Sequence, residues 1–165
     1  MGGADEVMIK FAWTENMSVG VPTLDADHRC IVRIINTLQD VDEENADCVV
    51  DRALDSLVAY CRYHFAREER VMRGCNFPAL DFHKGEHEGF TRFVCDLRRR
   101  YARQTDGAII DELRDYLARW LCHHILIQDM AFKPYVLAAS NAGVFSDSLS
   151  SPGDQDAEGM VALSG

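Results

Sequence analysis

Histidine and carboxylate residues interrupt segments of this chain that are otherwise apolar. The sequence has 165 residues and six histidines. Two pairs have helical i, i+4 spacing, His64 with Glu68 and His83 with His87, so both members of each pair share one helix face. An unpaired imidazole or carboxylate in an apolar interior costs several kcal/mol. Five of the histidines fall on the apolar faces of helical repeats: His28, His64, His83, His87 and His124.

A single inward histidine indicates little, because one hydrogen bond to a neighbour satisfies it. Five histidines that converge with Glu68 cannot all form hydrogen bonds with one another. A bound metal would satisfy them, because it uses the lone pair of each imidazole and neutralises the carboxylates. With Asp129, the set exceeds the four ligands of a structural zinc site and the three protein ligands of a catalytic one. Calcium and magnesium prefer oxygen ligands. Imidazole with carboxylate suits iron, and seven such residues suit two irons between facing helices.

Helical patterns must position these residues. Helix-breaking segments separate these helical patterns: DEENAD at 42–47, GCNFP at 74–78 and TDG at 105–107. Pro134 is expected to end the last helix. Short connections favour antiparallel neighbours, so the sequence predicts an all-α, up-down-up-down antiparallel four-helix bundle. The predicted helices are 24–41, 48–74, 79–104 and 107–128.

The inward face of each helix follows steps of three and four residues. We predict the following core positions: Leu24, His28, Ile31, Ile35 and Leu38; Val50, Leu54, Leu57, Cys61, His64, Glu68 and Val71; Leu80, His83, His87, Phe90, Val94, Leu97 and Tyr101; and Leu113, Leu117, Trp120 and His124.

The two ends of the chain lack this periodicity. Residues 1–23 are expected to form an N-terminal arm with Trp13 and Pro22, and 24–137 to form the bundle. Residues 138–165 are small, polar and acidic, which predicts a disordered C-terminal tail.

Composition limits the partners and the compartment. The net charge of −10 argues against a surface for nucleic acid or anionic membrane. No run approaches the ~20 apolar residues of a membrane span, and the start has no apolar signal-peptide core, so we expect a cytoplasmic protein. The six cysteines form no Cys-x-x-Cys pair and are interpreted as small helix residues rather than disulfides or zinc ligands.

The stretch LARWLCHHILIQD at 117–129 contains two adjacent histidines. His124 continues the inward line through Leu117 and Trp120, whereas His123 is turned about 100° away and is expected at the surface. Asp129 lies about 140° around a regular helix from His124, so the two should not face one point. If both bind, the helix must widen into a π-type turn or unwind before Pro134.

These motifs together resemble the hemerythrin family, and in particular its single-domain bacterial members. The matching segments are His28, HFAREE from His64, HKGEHEGF from His83 and WLCHHILIQD ending at Asp129. The segment FAWTENMSVGVPTLDADH also resembles the family's N-terminal arm. The resemblance covers roughly residues 11–137, and every ligand position of the family is filled.

The resemblance implies a cofactor of two iron ions (Fe2+ or Fe3+) with a bridging hydroxide or oxide. One iron would be held by His83, His87 and His124 and the other by His28 and His64. Glu68 and Asp129 would bridge them, and the second iron would bind dioxygen at an open position.

Residues flanking His124 are candidates for the wall of an oxygen pocket. Leu121 matches the family position over the oxygen site. Trp120 and Ile125 can equally be ordinary core residues. An apolar wall around an open metal position favours a neutral diatomic molecule and excludes water.

The resemblance implies reversible dioxygen binding without catalysis, for oxygen transport, storage or delivery. The chain contains no Glu-x-x-His motif, unlike the carboxylate-rich di-iron proteins of the ferritin-like type, which favours binding over oxidation. Two alternatives stay open: an oxygen or redox sensor acting through a partner that docks on the C-terminal tail, and a di-iron enzyme or iron-handling protein.

Overall fold

The computed structural model describes residues 10–42, 44–104 and 107–143. Every regular element within these ranges is helical, which confirms the predicted all-α class. The elements are a short 3-10 turn at Glu15–Met17, α1 at Pro22–Gln39, α2 at Ala46–Gly74, α3 at Leu80–Tyr101, α4 at Gly107–His123, a π-helical segment at His124–Asp129 and α5 at Met130–Asn141.

The helices pack as a four-membered ring. Helix α1 contacts α2 and α4, α2 contacts α3, and α3 contacts α4. Helix α4, the π-helical segment and α5 follow one another without a break, so they form one long fourth helix whose last part packs against α2. The predicted inward positions are all buried except Leu80, which is half-buried.

Most helix boundaries differ from the predicted ones by one to three residues, and two of the differences involve proline. Helix α1 begins at Pro22 rather than at residue 24, because proline has a backbone suited to the first helical position. Pro134 does not end the last helix but lies inside α5. Proline cannot donate to the carbonyl four residues earlier, but its neighbours Phe132 and Val136 are buried in the core, and their burial stabilises the helix across it.

The last helix also extends into the segment expected to be a tail. Residues 138–141 are helical, since α5 ends at Asn141. The disorder predicted for the remainder concerns residues 144–165, which lie outside the described residues, as do residues 1–9.

A polar level divides the core into two apolar clusters. The larger cluster contains residues such as Ile31, Leu54 and Phe90. The smaller one contains Leu24 and Phe132, among others. On α1, α2 and the fourth helix, the change from one cluster to the other occurs where the predicted histidines and carboxylates lie.

The N-terminal arm is hydrogen-bonded to α1. The backbone of Phe11 forms two 2.8 Å hydrogen bonds with the side-chain amide of Asn36. The carboxylate of Asp25 accepts from the amide of Val19 at 2.8 Å and from the hydroxyl of Ser18 at 2.6 Å. These bonds hold the arm beside the start of α1, which carries His28.

None of the helices described here is long and apolar enough to cross a membrane. All six cysteines are free thiols. Three of them, Cys30, Cys61 and Cys75, are buried as expected for small core residues, whereas Cys48 and Cys122 are exposed.

Candidate metal centre

The structure brings together all seven side chains that the sequence singled out. They come from every wall of the bundle, and none is more than 2% exposed. Helix α1 contributes His28, α2 contributes His64 and Glu68, α3 contributes His83 and His87, and the π-helical segment contributes His124 and Asp129.

Four of these residues form a group on the α3 side of the site. Glu68, His83, His87 and His124 each offer one ligand atom, and these atoms lie within 4.8 Å of one another. The Nε2 atoms of His87 and His124 are 3.2 Å apart, and the Nε2 of His87 is 2.9 Å from Glu68 Oε2. Two imidazole nitrogens this close need a proton or a cation between their lone pairs.

A second group lies toward α1 and shares a carboxylate with the first. His28, His64 and Glu68 again place one ligand atom each within 4.8 Å of one another. The Nε2 atoms of His28 and His64 each lie 3.8 Å from an oxygen of Glu68. Glu68 therefore faces both groups.

Asp129 also faces both groups, with one oxygen toward each. Its Oδ1 lies 3.3 Å from His83 Nε2 and 3.2 Å from His124 Nε2. Its Oδ2 lies 3.3 Å from His28 Nε2. The site thus has three histidines on one side, two on the other, and two carboxylates between them.

Several of these atoms are buried and unsatisfied in the described chain. His28 Nε2, His64 Nε2, Glu68 Oε1 and both carboxylate oxygens of Asp129 have no hydrogen-bond partner. Buried polar atoms are rarely left in this state, because each costs about 1–3 kcal/mol. Nitrogen and carboxylate-oxygen donors at this spacing fit metal ions such as iron.

The π-helical segment explains how His124 and Asp129 reach the same point. Residues 124–129 form the wider π turn, which confirms the expectation that a regular helix would keep these two side chains apart. A π turn adds a residue to the turn, so the i and i+5 positions come onto one face. Such segments occur often at functional sites.

Comparison with known proteins agrees with this geometry. The model of the hemerythrin HHE cation-binding domain family matches residues 19–136. The chain belongs to the hemerythrin family. It is 34% identical to a bacteriohemerythrin of Stenotrophomonas maltophilia over 134 residues, which is 81% of this chain and 86% of that protein. It is 32% identical to a bacteriohemerythrin of Pseudomonas aeruginosa over 125 residues, or 76% of this chain and 80% of that protein.

A solved structure has the same fold. A hemerythrin leucine-to-alanine mutant superposes with a TM-score of 0.63 at 23% identity, covering 78% of this chain and 98% of that one. Membership of the hemerythrin family and the buried histidine and carboxylate cluster are together consistent with iron binding.

Three histidines of the site also form a hydrogen bond through Nδ1, the ring nitrogen that faces away from the site. With Nε2 facing the site, His64 Nδ1 donates to Asp27 Oδ2 at 3.2 Å, and Arg67 donates to the same carboxylate. Such partners fix the ring orientation and the tautomer of a metal-ligating histidine. The other two bonds run from His87 Nδ1 to Glu69 Oε1 at 3.1 Å and from His124 Nδ1 to Gln128 Oε1 at 2.8 Å.

Sequence reasoning missed these three partners. The contact of Gln128 could have been predicted from the sequence, because Gln128 stands four residues after His124 and is within its reach on a helix. The contacts of Asp27 and Glu69 could not, since each of these residues reaches a histidine on another helix. His123 is exposed, as expected, and Nε2 of its ring accepts from the Gln128 amide at 3.1 Å.

Aromatic rings cover the histidines on the side of the larger apolar cluster. Phe65 stacks on His87 with ring centroids 3.9 Å apart, and Trp120 stacks on His124 at 4.4 Å. The two other predicted pocket residues, Leu121 and Ile125, are buried in the same cluster.

The carboxylates and histidines of the site shift each other's pKa in opposite directions. Burial alone would raise the pKa of Asp129, but the neighbouring histidines His124, His28 and His83 lower it to about 2. Burial lowers the pKa of His124 to about 4. Burial also disfavours charged His83, but the nearby carboxylates of Asp129 and Glu68 raise its pKa to about 9. Burial disfavours charged His28 as well, but Asp129 and Glu68 raise its pKa. The two carboxylates therefore stabilise protonated His28 and His83 in the metal-free site.

Proposed function

We propose that this hemerythrin-family chain reversibly binds dioxygen at a non-haem di-iron centre, as an oxygen carrier, store or delivery protein rather than an enzyme. The observation that supports it best is the pair of histidine groups, one of three and one of two, that share Glu68 and Asp129. In this proposal the group of three fills its metal's coordination, and the group of two leaves one position open.

The proposed ligands are His83, His87 and His124 for one iron and His28 and His64 for the other, with Glu68 and Asp129 bridging. Two bound irons would supply a pair of electrons and an open position for a diatomic molecule. The chain's own residues do the rest: Asp27, Glu69 and Gln128 orient three of the imidazoles, and the aromatic rings limit the entry of water.

The proposal is also supported by the similar proteins reported above, which are named bacteriohemerythrins. The six free thiols agree with the further proposal of a reducing, cytoplasmic compartment.

Metal analysis combined with absorption spectra tests this function. The protein purified with iron should contain two irons per chain. It should gain a charge-transfer band on exposure to oxygen and lose it on removal of oxygen, repeatedly. One iron or none per chain would contradict the di-iron centre, and rapid turnover of peroxide or nitric oxide would favour the enzyme alternative.

The pocket wall gives a first prediction. Leu121→Ala should retain two irons but oxidise faster in air, because the smaller side chain admits water to the site. The matched control is Leu117→Ala, one turn earlier in the same core, where the substitution also removes buried packing. Autoxidation followed by absorbance distinguishes them, and equal rates in the two variants would contradict a pocket role for Leu121.

A further inference from the structure

Tyr60 has no role in the function proposed above, yet its ring lies against a histidine of the site. Tyr60 is on α2, one turn before His64, and its ring stacks on that imidazole with centroids 4.3 Å apart. The residue is 0% exposed, and its hydroxyl has no hydrogen-bond partner within the described part of the chain. A phenylalanine would give the same stacking without burying an unsatisfied hydroxyl, which is destabilising.

A second aromatic residue repeats this arrangement on the neighbouring wall. Tyr60 stands four residues before His64, and Trp120 stands four residues before His124. Each ring stacks on its histidine, and the two rings meet edge to face at 6.4 Å. In an up-down-up-down bundle α2 and α4 run parallel, so both rings lie on the same side of the metal level.

Both rings carry a buried polar atom that the described chain leaves unsatisfied. The indole nitrogen of Trp120 is also buried without a partner, so this wall presents two unsatisfied polar atoms. Buried tyrosine and tryptophan normally satisfy their polar atoms. Apolar side chains also pack there: Phe65 packs edge-on against Tyr60, and Leu121 and Ile125 belong to the same cluster.

We propose that the Tyr60 hydroxyl donates a hydrogen bond to the small ligand held beside His28 and His64, which is dioxygen in the working protein and water or a small anion otherwise. This inference rests on the proposed di-iron function. Tyr60 is then a residue that determines how tightly the pocket holds a ligand able to accept a hydrogen bond. A tyrosine keeps its proton at neutral pH, so it is available as the donor.

Azide binding and oxygen release test this role in the full-length, iron-loaded protein. Azide is a small anion that binds ferric iron and accepts hydrogen bonds. Tyr60→Phe should load two irons, bind azide about tenfold more weakly and release oxygen about tenfold faster, as expected for the loss of one hydrogen bond. The metal-free variant should be at least as thermally stable as the metal-free parent, because it no longer buries an unsatisfied hydroxyl.

Tyr116→Phe is the matched control. Tyr116 lies on α4, is half-buried, and stacks on Phe93 at 3.5 Å rather than on a site histidine. Its variant should bind azide and release oxygen like the parent. Unchanged azide affinity and oxygen release in iron-loaded Tyr60→Phe would overturn the role of Tyr60 alone, whereas a parent protein without two irons would overturn the proposed function as well.

A second measurement keeps a phenol at position 60. Replacing all tyrosines by fluorotyrosine makes the phenol a stronger donor, so the infrared stretch of bound azide should shift in the labelled parent and equally in labelled Tyr116→Phe. The absence of a shift would overturn the proposal, even if Tyr60→Phe failed to fold.

Discussion

At the scale of single residues, the individual site histidines differ in the charge of the group behind them. His64 is backed by the carboxylate of Asp27, which Arg67 also contacts, whereas His124 is backed by the neutral amide of Gln128. A carboxylate behind an imidazole makes it a more basic ligand than an amide does. These differences arise from side chains that lie behind the histidines and do not face the interior of the site.

Glu68 carries the strongest single-residue prediction. Glu68→Ala should lower the iron content below two per chain, because the Glu68 oxygens face both histidine groups. His123→Ala is the control: this exposed ring contacts the Gln128 amide and should leave iron content unchanged. Iron per chain, measured after identical loading, decides between them. Full loading of Glu68→Ala would refute the ligand assignment.

The outer partners should affect metal affinity without supplying a ligand. We expect Asp27→Asn and Glu69→Gln each to weaken iron binding by about 10–100-fold, since each removes the charged acceptor behind a ligand histidine. Competition with a chelator measures the affinity. Asp96→Asn, which alters an exposed carboxylate paired with Arg99, should bind iron like the parent. If all three variants behaved alike, Asp27 and Glu69 would have no orienting role.

At the scale of elements, the π-helical segment determines which positions of the fourth helix reach the site. Gln128, at the i+4 position from His124, contacts the outer Nδ1 of that ring. Asp129, at i+5, approaches the inner Nε2. In a regular helix the i+4 position would be the one beside His124, so the π turn exchanges the roles of two adjacent residues.

Moving the carboxylate by one position tests this exchange. Asp129→Ala should lose iron, and adding Gln128→Asp should not restore it, because residue 128 lies behind the imidazole. Iron content of the single and double variants gives the answer. Recovery of two irons in the double variant would show that the segment can return to a regular helix and that the π turn is dispensable.

At the scale of the whole molecule, the buried site should make the metal-free protein less stable both when the pH rises and when it falls. The pKa of His83 is raised from 6.5 to about 9, so its contribution is complete below pH 6.5 and is lost as the pH rises to 9. The pKa of His124 is lowered from 6.5 to about 4, so its contribution is complete above pH 6.5 and is lost as the pH falls to 4. Asp129, with its pKa lowered from 3.8 to about 2, loses its contribution only below this range.

The metal-free protein should therefore be most stable near pH 6.5 and less stable on both sides. Urea denaturation at pH values from 4 to 9, with a chelator present, measures the unfolding free energy. His123→Ala should show the same profile, because that histidine is exposed. A stability that rises steadily across this range would contradict the opposing shifts of His83 and His124.

Much of the fold and the site could be predicted from the sequence, because it depends on local periodicity. The spacing of apolar residues predicts four helices and their inward faces, and the costly residues on those faces indicate six of the seven site positions. Asp129 is the seventh, and it lies off the inward line of a regular helix. If both His124 and Asp129 face the site, their spacing requires either a π-type turn or local unwinding, and the structure has the π turn. The prediction for Pro134 was wrong because tertiary burial of Phe132 and Val136 outweighs a local helix-breaking tendency.

Only the tertiary structure decided the contacts between helices. Asp27 and His64 are 37 residues apart, and their hydrogen bond depends on the rotation and axial offset of α1 against α2. The same holds for Glu69 behind His87, and for the edge-to-face contact of Tyr60 with Trp120. The periodicity of a sequence specifies which face of a helix is buried, but the packing of side chains between helices sets which atoms on those faces meet.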